Sequence, residues 1–153
     1  MALPSTQSQR LIKLGDLNHH KTFFAGRCSE WFLESSYFAI NMFVDTEFAV
    51  CLKIHGMDFR FPLYAGDIIT YESKLVAAGR STLSVYTKVY RSREPEKIAC
   101  DGFVTFAYVD ANTRSCPHGI TVVPETEEEI RLNAQITEML EKDRQARAQS
   151  KSK

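Results

Sequence analysis

The chain has 153 residues, 44% of them hydrophobic and 25% charged, with 19 basic and 19 acidic side chains. That length favours a single domain, and the apolar fraction suits a buried core rather than disorder. Balanced charge argues against generic nucleic-acid binding, which needs clustered positive charge, and no apolar run reaches the ~20 residues of a membrane span.

Residues 1–9 are polar and lack the apolar stretch of a signal peptide, so a flexible N-terminus is expected. Arg10 to Leu14 reads as a short extended segment, and Gly15 to Thr22 as a polar loop. From about Gly26 to Val44, the residues Cys28, Trp31, Phe32, Ser35, Phe38, Ala39 and Met42 recur at three and four, which draws a stripe along a helix. The period then changes. Phe48 to Ile54 is rich in β-formers, and 55–61 continue extended with a bulge at Gly56. Ile68 to Val76 is a strand, and Ala78-Gly79-Arg80-Ser81 a hairpin turn. Leu83, Val85, Thr87 and Val89 alternate with Thr82, Ser84, Tyr86 and Lys88, the pattern of a half-buried strand.

Ile98 to Val109 is apolar on both faces, which predicts an interior strand covered on both sides. Asn112 to Pro124 is loop. Glu125 opens a second helix, where glutamates at 125, 127, 128 and 129 suit the positive helix N-terminus. Its stripe is weak: Ile130, Ala134, Thr137 and Leu140, with Ile136 and Met139 beside them. The basic end from Arg144 to Lys153 reads as a solvated tail. One long helix followed by antiparallel strands gives an α+β fold with the helix laid on a sheet. The units are then 1–9, a folded domain over 10–124, and a C-terminal helix with its tail over 125–153. A sheet with two free edges and one open face predicts self-association.

Cys28, Cys51, Cys100 and Cys116 are widely spaced, without a C-x-x-C pair. They read as free, mostly buried thiols in a reducing compartment, so the expected location is the cytoplasm. Adjacent His19 and His20 have poor spacing for two metal ligands on one element, so no metal site is expected.

The chemistry concentrates between Asn18 and Glu34, where a polar loop meets the start of the long helix. Glu30 and Glu34 share a face. Glu34 is expected near the rim of the buried stripe, where desolvation raises a carboxylate's pKa and suits it to acid–base work. Glu30 reads as a solvated surface charge.

The stretch Asn18-His19-His20-x-Thr22-x-Phe24-Ala25-Gly26-Arg27-x-x-Glu30-Trp31-x-x-Glu34 resembles the helix-start motif of hotdog-fold acyl-CoA thioesterases. A second block, Met57-x-Phe59-x-x-Pro62-Leu63-x-x-Gly66-Asp67-Ile68-Ile69 and then Gly79-Arg80-Ser81-Thr82-Leu83-Ser84-Val85, is similar to that family's strand and hairpin motifs. The resemblance spans roughly residues 10–110. It implies a hotdog fold, with a long central helix wrapped by a curled antiparallel sheet, plus an extra C-terminal helix here. The implied activity is hydrolysis of an acyl-CoA thioester to free acid and coenzyme A. Coenzyme A is then part of the substrate, and no separate cofactor is implied.

Many relatives carry Asp where this chain has Leu33, and others offer a helix glutamate, which makes Glu34 the substitute. Within that resemblance, Gly26 N–H would hold the thioester oxyanion, Asn18 would orient the thioester or the water, and Glu34 would act as base or nucleophile. Arg80, Ser81 and Thr82 are the expected coenzyme A phosphate contacts, with Arg60 and Lys88 as further charges. Phe24, Trp31, Met57 and Phe59 are the expected acyl pocket. His20 is left as a loop residue.

Gly26 and Glu34 lie eight residues apart on one helix, hence ~12 Å along its axis. They cannot both reach one carbonyl within a chain, so a homodimer is the minimal unit, with tetramer and hexamer open. Two other readings compete. Asp16-x-Asn18-x-His20 superficially resembles the loop of a hotdog enoyl-CoA hydratase, although its proline and spacing differ. A non-catalytic acyl-CoA-binding subunit would explain Leu33.

Overall fold

A computed structural model describes residues 3–151. Five strands form one antiparallel sheet: β1 (Ser5–Leu11), β2 (Ala49–Phe59), β3 (Ile68–Ala78), β4 (Thr82–Arg91) and β5 (Ile98–Tyr108), in the order β1-β3-β4-β5-β2. Helix α1 (Ala25–Asn41) lies on one face against β3, β4 and β1, and α2 (Glu127–Lys151) docks on the other against β3. This is the α+β arrangement expected. No helix among the described residues is long and apolar enough to cross a membrane.

Helix α1 buries Cys28, Trp31, Phe32, Ser35, Ser36, Ala39 and Ile40, close to the expected stripe. Phe38 and Met42 instead remain 44% and 47% exposed. Phe38 lies more than a quarter-turn from the line through Phe32 and Ala39, and Met42 is the cap beyond the last helical residue. The helix stops at Asn41, short of Val44, with Met42 as its cap.

Strand β5 is interior and covered on both sides, as its sequence implied. Cys100, Val104 and Phe106 join the core under α1, whereas Phe103 joins Val76, Ala77 and Tyr86 beneath Leu132 and Ile136 of α2. Gly56 adopts φ +56° at a register shift in β2, the expected bulge.

Three expectations are corrected. Residues 5–9 are not a flexible tail but most of β1, paired with β3 from Ser5↔Lys74 to Leu11↔Ile68; Met1 and Ala2 lie outside the described residues. Backbone pairing needs no apolar side chains, so a polar edge strand gave no hydrophobic signal. The tail from Arg144 is helical to Lys151, with Ser152 and Lys153 undescribed. The stripe of α2 runs through Leu132, Ile136, Met139 and Leu140 rather than Ile130, which is 54% exposed.

The start of α2 is held by buried Glu129. Its carboxylate accepts from the N–H groups of Leu3, Glu125 and Thr126 and pairs with Lys74 at 3.2 Å. Four partners offset the desolvation that would otherwise neutralise it, and its pKa lies below the ordinary value.

Candidate active site

The loop before α1 is built around Asn18. Its Oδ1 accepts from the N–H groups of His20 (2.8 Å) and Thr22 (3.2 Å), an Asx-type closure. Its Nδ2 donates to Thr22 Oγ1 at 3.0 Å, and an amide NH2 retains a second hydrogen. His20 is a loop residue, its ring centroid 4.0 Å from that of His19. Asp16 is buried, accepts from Lys13 N–H and pairs with Arg27 at 3.3 Å. It holds the loop against the helix and is not free to act as a hydratase base.

Phe24 is the N-cap of α1 and has no side-chain acceptor to offer. Its own N–H bonds to Asp16 O, and Phe23 N–H bonds to Leu63 O. The first N–H bonded within the helix is that of Cys28, to Phe24 O at 3.0 Å. The N–H groups of Ala25, Gly26 and Arg27 therefore point out of an uncapped helix start with no acceptor among the described residues. Such a terminus is electropositive and suits developing negative charge. A Cβ on Gly26 would come within 2.6 Å of the Phe24 ring, so glycine lets that ring fold over the first turn.

Beside this terminus is a cavity of ≈ 350 Å³. Asn18, Phe23, Ala25 and Cys28 line one wall, and Phe59 to Leu63 with Ala99 and Cys100 line the other. The lining is mostly apolar. Its one charge is Arg60, which is engaged by Asp101 at 2.9 Å and Asp58 at 3.8 Å. No carboxylate lines the cavity.

Of the expected acyl-pocket residues, Phe59 lines the cavity. Phe24 lies at its edge on the helix start, 53% exposed. Met57 is tucked beside α1, with Ser29 Oγ 3.6 Å from its sulfur. Trp31 is buried in the core, with Phe23 5.4 Å from its ring and the Arg10 guanidinium 4.8 Å above it.

Glu34 is not at a desolvated rim. Its side chain is 48% exposed and paired with Arg10 of β1 at 3.7 Å. One residue of shift turns it ~100° around the helix, past the stripe and out to solvent. Leu33, the neighbouring position, packs on the core instead. It shares a helix flank with Ser29, which touches Met57 of β2. Glu30 is solvated as expected and pairs with Arg27 at 3.5 Å.

The Arg80-Ser81-Thr82 turn stands at the other end of the sheet. Thr82 pairs with Ala107, seven residues along β5 from Cys100 (100 to 107), so roughly 23 Å from the cavity floor. Arg80 is exposed and forms no ion pair among the described residues. His118, which the sequence did not single out, pins this turn. Its Nδ1 accepts from Ile120 N–H at 2.9 Å, leaving Nε2–H to donate to Thr82 O at 3.0 Å. Lys88 is committed to Glu72 at 3.2 Å.

No protein-family model matches the chain. The Bacillus subtilis (strain 168) protein YkhA, described as an uncharacterized acyl-CoA thioester hydrolase, is 30% identical over 121 residues, 77% of this chain and 69% of its own length. An acyl-CoA hydrolase from Bacillus cereus superposes with TM-score 0.80 at 25% identity, covering 97% of this chain and 91% of that one. A hexameric acyl-CoA thioesterase matches with TM-score 0.76 at 26% identity, over 94% and 92%. The fold is also that of the Staphylococcus aureus acyl-CoA hydrolase solved with butyryl coenzyme A, coenzyme A and coenzyme A disulfide: TM-score 0.77, 23% identity, 97% and 88% covered.

Proposed function

The chain belongs to the acyl-CoA thioester hydrolases, and we propose that it cleaves its substrate at a site assembled from two subunits. One subunit supplies the cavity, the Asn18 amide and the open N–H of Gly26. The other supplies a carboxylate, Glu34, and the Arg80 turn. Water attacks the thioester carbonyl carbon and gives its proton to the carboxylate of Glu34. The oxyanion is held by Gly26 N–H, the C–S bond breaks, the proton on Glu34 passes to the leaving thiolate, and the free acid and coenzyme A leave. The remaining Nδ2 hydrogen of Asn18 orients the carbonyl or the water. The Glu34 carboxylate lies 3.7 Å from the Arg10 guanidinium.

The observation that carries this reading is the composition of the cavity. Its polar lining is the Asn18 amide and the helix start at Ala25, with Gly26 one residue beyond it, and its walls are apolar as an acyl chain needs, but it has no base and no free cation for the nucleotide phosphates. Strand β2 supports the second subunit. It is an 11-residue edge with no partner on its outer side among the described residues, and it exposes Val50, Leu52 and Ile54. Unpaired apolar edges of this length favour pairing with another chain. The cavity lies at the Phe59 end of β2, and the Arg80 turn lies at its Ala49 end, since Ala49 pairs with Tyr108. Antiparallel pairing of two β2 edges sets one protomer's cavity end beside its partner's Arg80 end; Glu34 pairs with Arg10 of β1, at the opposite edge of the sheet, so its part as the base rests on the resemblance alone and is what the mixing experiment decides. The hexameric relative fits further association of such dimers. Four free thiols fit a reducing, cytoplasmic setting.

A mixing experiment tests the shared site. Gly26→Pro removes the N–H within the first helical turn, its ring displacing the half-exposed Phe24 ring, so folding of this variant is checked before mixing, and Glu34→Ala removes the carboxylate. Each variant should be inactive alone. Equal mixtures after subunit exchange should regain about a quarter of wild-type thiol release, because half the dimers are mixed and each holds one intact site. No recovery despite confirmed exchange overturns the two-subunit arrangement.

A second reading rests on Leu33, an apolar residue on the helix flank that faces β2. An acyl-CoA-binding subunit without hydrolysis would bind a panel of short, medium, long and aromatic acyl-CoAs and release no thiol from any of them.

A further inference from the structure

Helix α2 crosses the sheet on the face opposite α1. Glu129 pairs with Lys74 of β3 at 3.2 Å, and Leu132 and Ile136 pack with Tyr86 of β4 and Phe103 of β5. Asp143 then meets β2, with Lys53 at 2.7 Å and His55 at 3.6 Å. Lys74, Tyr86, Phe103 and His55 form one row across the sheet, since each is the register partner of the next. The helix therefore runs across the strands and leaves the sheet over its β2 edge.

From Arg144 to Lys151 it continues as helix with every residue exposed. Eight residues at ~1.5 Å each carry it ~12 Å past Asp143, more than two strand spacings of ~4.8 Å. Helices owe most of their stability to packing, and this end finds none among the described residues. The overhang holds Arg144, Arg147 and Lys151 and no acid, whereas Glu138 and Glu141 stand exposed on the turns just before it. A helix end divided in this way complements an antiparallel copy of itself.

We propose that the overhanging end of α2 is an arm that docks on a second copy of this chain, antiparallel to the same segment of that copy, with Arg147 and Lys151 beside the partner's Glu141 and the partner's Glu138. The arm rests on the β2-to-β2 pairing of the dimer proposed above. In such a dimer the two-fold axis lies half a strand spacing, ~2.4 Å, outside β2, and so level with Gln145 of each helix to within about a residue. Arg147 is then level with the partner's Asp143, ~3 Å along the axis from the partner's Glu141, and Lys151 is ~1.5 Å along it from the partner's Glu138. Each glutamate is held on its own helix through one oxygen, Glu138 by Lys142 at 3.2 Å and Glu141 by Arg144 at 3.0 Å, and has the other to offer. The row crosses β2 at His55, near the middle of Ala49–Phe59, so both helices pass close to the two-fold axis. Packed helices need ~8–10 Å between axes, about three residues along a strand, so the arms also constrain the register in which the two edges pair.

The test mixes two full-length variants, Arg147→Glu/Lys151→Glu and Glu138→Lys/Glu141→Lys, one of them isotope-labelled, after each is shown to fold. Within either homodimer the arms repel, and in a mixed dimer they attract on both sides of the axis. Native mass spectrometry after subunit exchange should find mixed dimers about 10-fold or more above either homodimer, against about 2-fold for random pairing. The bias should shrink in ~1 M salt, where exposed pairs are screened. A second measurement needs no charge reversal. In a Cys51→Ser/Cys116→Ser chain, Gln145→Cys should be joined to its copy by a short bismaleimide, and Arg131→Cys, ~21 Å away along the same helix, should not. Random mixing, or a dimer that links at neither position, overturns the arm. Random mixing together with binding to anionic lipid vesicles that Arg147→Glu/Lys151→Glu abolishes overturns it in favour of a membrane surface. The arm and the shared active site fail separately: a dimer that mixes at random leaves the shared site standing, and biased mixing without recovery of activity from Gly26→Pro and Glu34→Ala chains supports the arm and refutes the shared site. A chain that stays monomeric refutes both.

Discussion

Glu34→Gln separates a working carboxylate from a surface ion pair, because the structure assigns the two roles very different magnitudes. The Arg10–Glu34 pair spans 3.7 Å with its side chains 38% and 48% exposed, so solvent screens it strongly. Such pairs contribute about 0–1 kcal/mol, and an uncharged amide of the same length can still accept from Arg10. Loss of stability should therefore stay below about 1 kcal/mol, a melting shift of no more than about 4 °C for a chain of this size. Loss of a general base is larger, about 10²-fold or more in kcat, or upwards of about 2.7 kcal/mol of barrier. Substrate binding should persist, because the amide keeps the shape. Glu30→Gln is the control: one turn away, 60% exposed and paired only with Arg27, it should leave kcat near the wild-type value. The assay is thiol release at saturating acyl-CoA, with thermal unfolding followed on the same samples. A folded Glu34→Gln chain with wild-type kcat refutes the assignment and leaves Glu34 as the exposed partner of Arg10.

The elements that announced themselves in the sequence are those whose burial has one cause. The alternation of Leu83, Val85 and Val89 marked β4 because α1 covers that face. The opposite face was read as solvated, yet Ser84 and Tyr86 are buried there. Over Tyr86 that burial comes from α2, whose docking rests on four apolar residues in a charged helix, too few to stand out as a stripe. Tyr86 and Ser84 also had partners that spacing cannot reveal: Asp101 at 2.6 Å and Thr105 at 2.8 Å. At the site, the Asn18 loop and the helix start were legible because their polarity is local. The orientation of Glu34 was not, since a step of one residue changes a helix face and only the neighbouring β1 shows which way it turns.

The remaining predictions concern the two ends of the sheet and the docking of α2. Arg80→Ala removes an exposed cation without an ion pair, so folding should be unaffected while KM for an acyl-CoA rises several-fold with little change in kcat. A pantetheine thioester lacking the nucleotide should be insensitive; equal losses on both substrates would place Arg80 outside the phosphate site. The last prediction is acid loosening through His55. This side chain of β2 is 5% exposed, with Nε2 3.0 Å from Thr105 Oγ1 and Nδ1 3.6 Å from Asp143 Oδ2 of α2, an oxygen that is itself buried without a hydrogen bond. Burial pushes its pKa below the ordinary 6.5, Lys53 and Arg147 push the same way, and Asp143 opposes them. As pH falls below about 6.5 the unfolded chain takes up a proton that the folded chain resists, so the unfolded state gains and stability declines. The carboxylates with lowered pKa values, Glu72, Glu94, Glu129 and Asp143, contribute losses only at lower pH, below their ordinary 4.5, 4.5, 4.5 and 3.8. Melting temperature measured between about pH 7 and pH 5 therefore isolates His55 from them. It should fall in the wild-type chain, and His55→Gln, which can still bond Thr105, should flatten that slope even if it melts lower at pH 7. An unchanged slope in His55→Gln would show that the acid sensitivity resides elsewhere and that the contact between β2 and α2 does not sense protons.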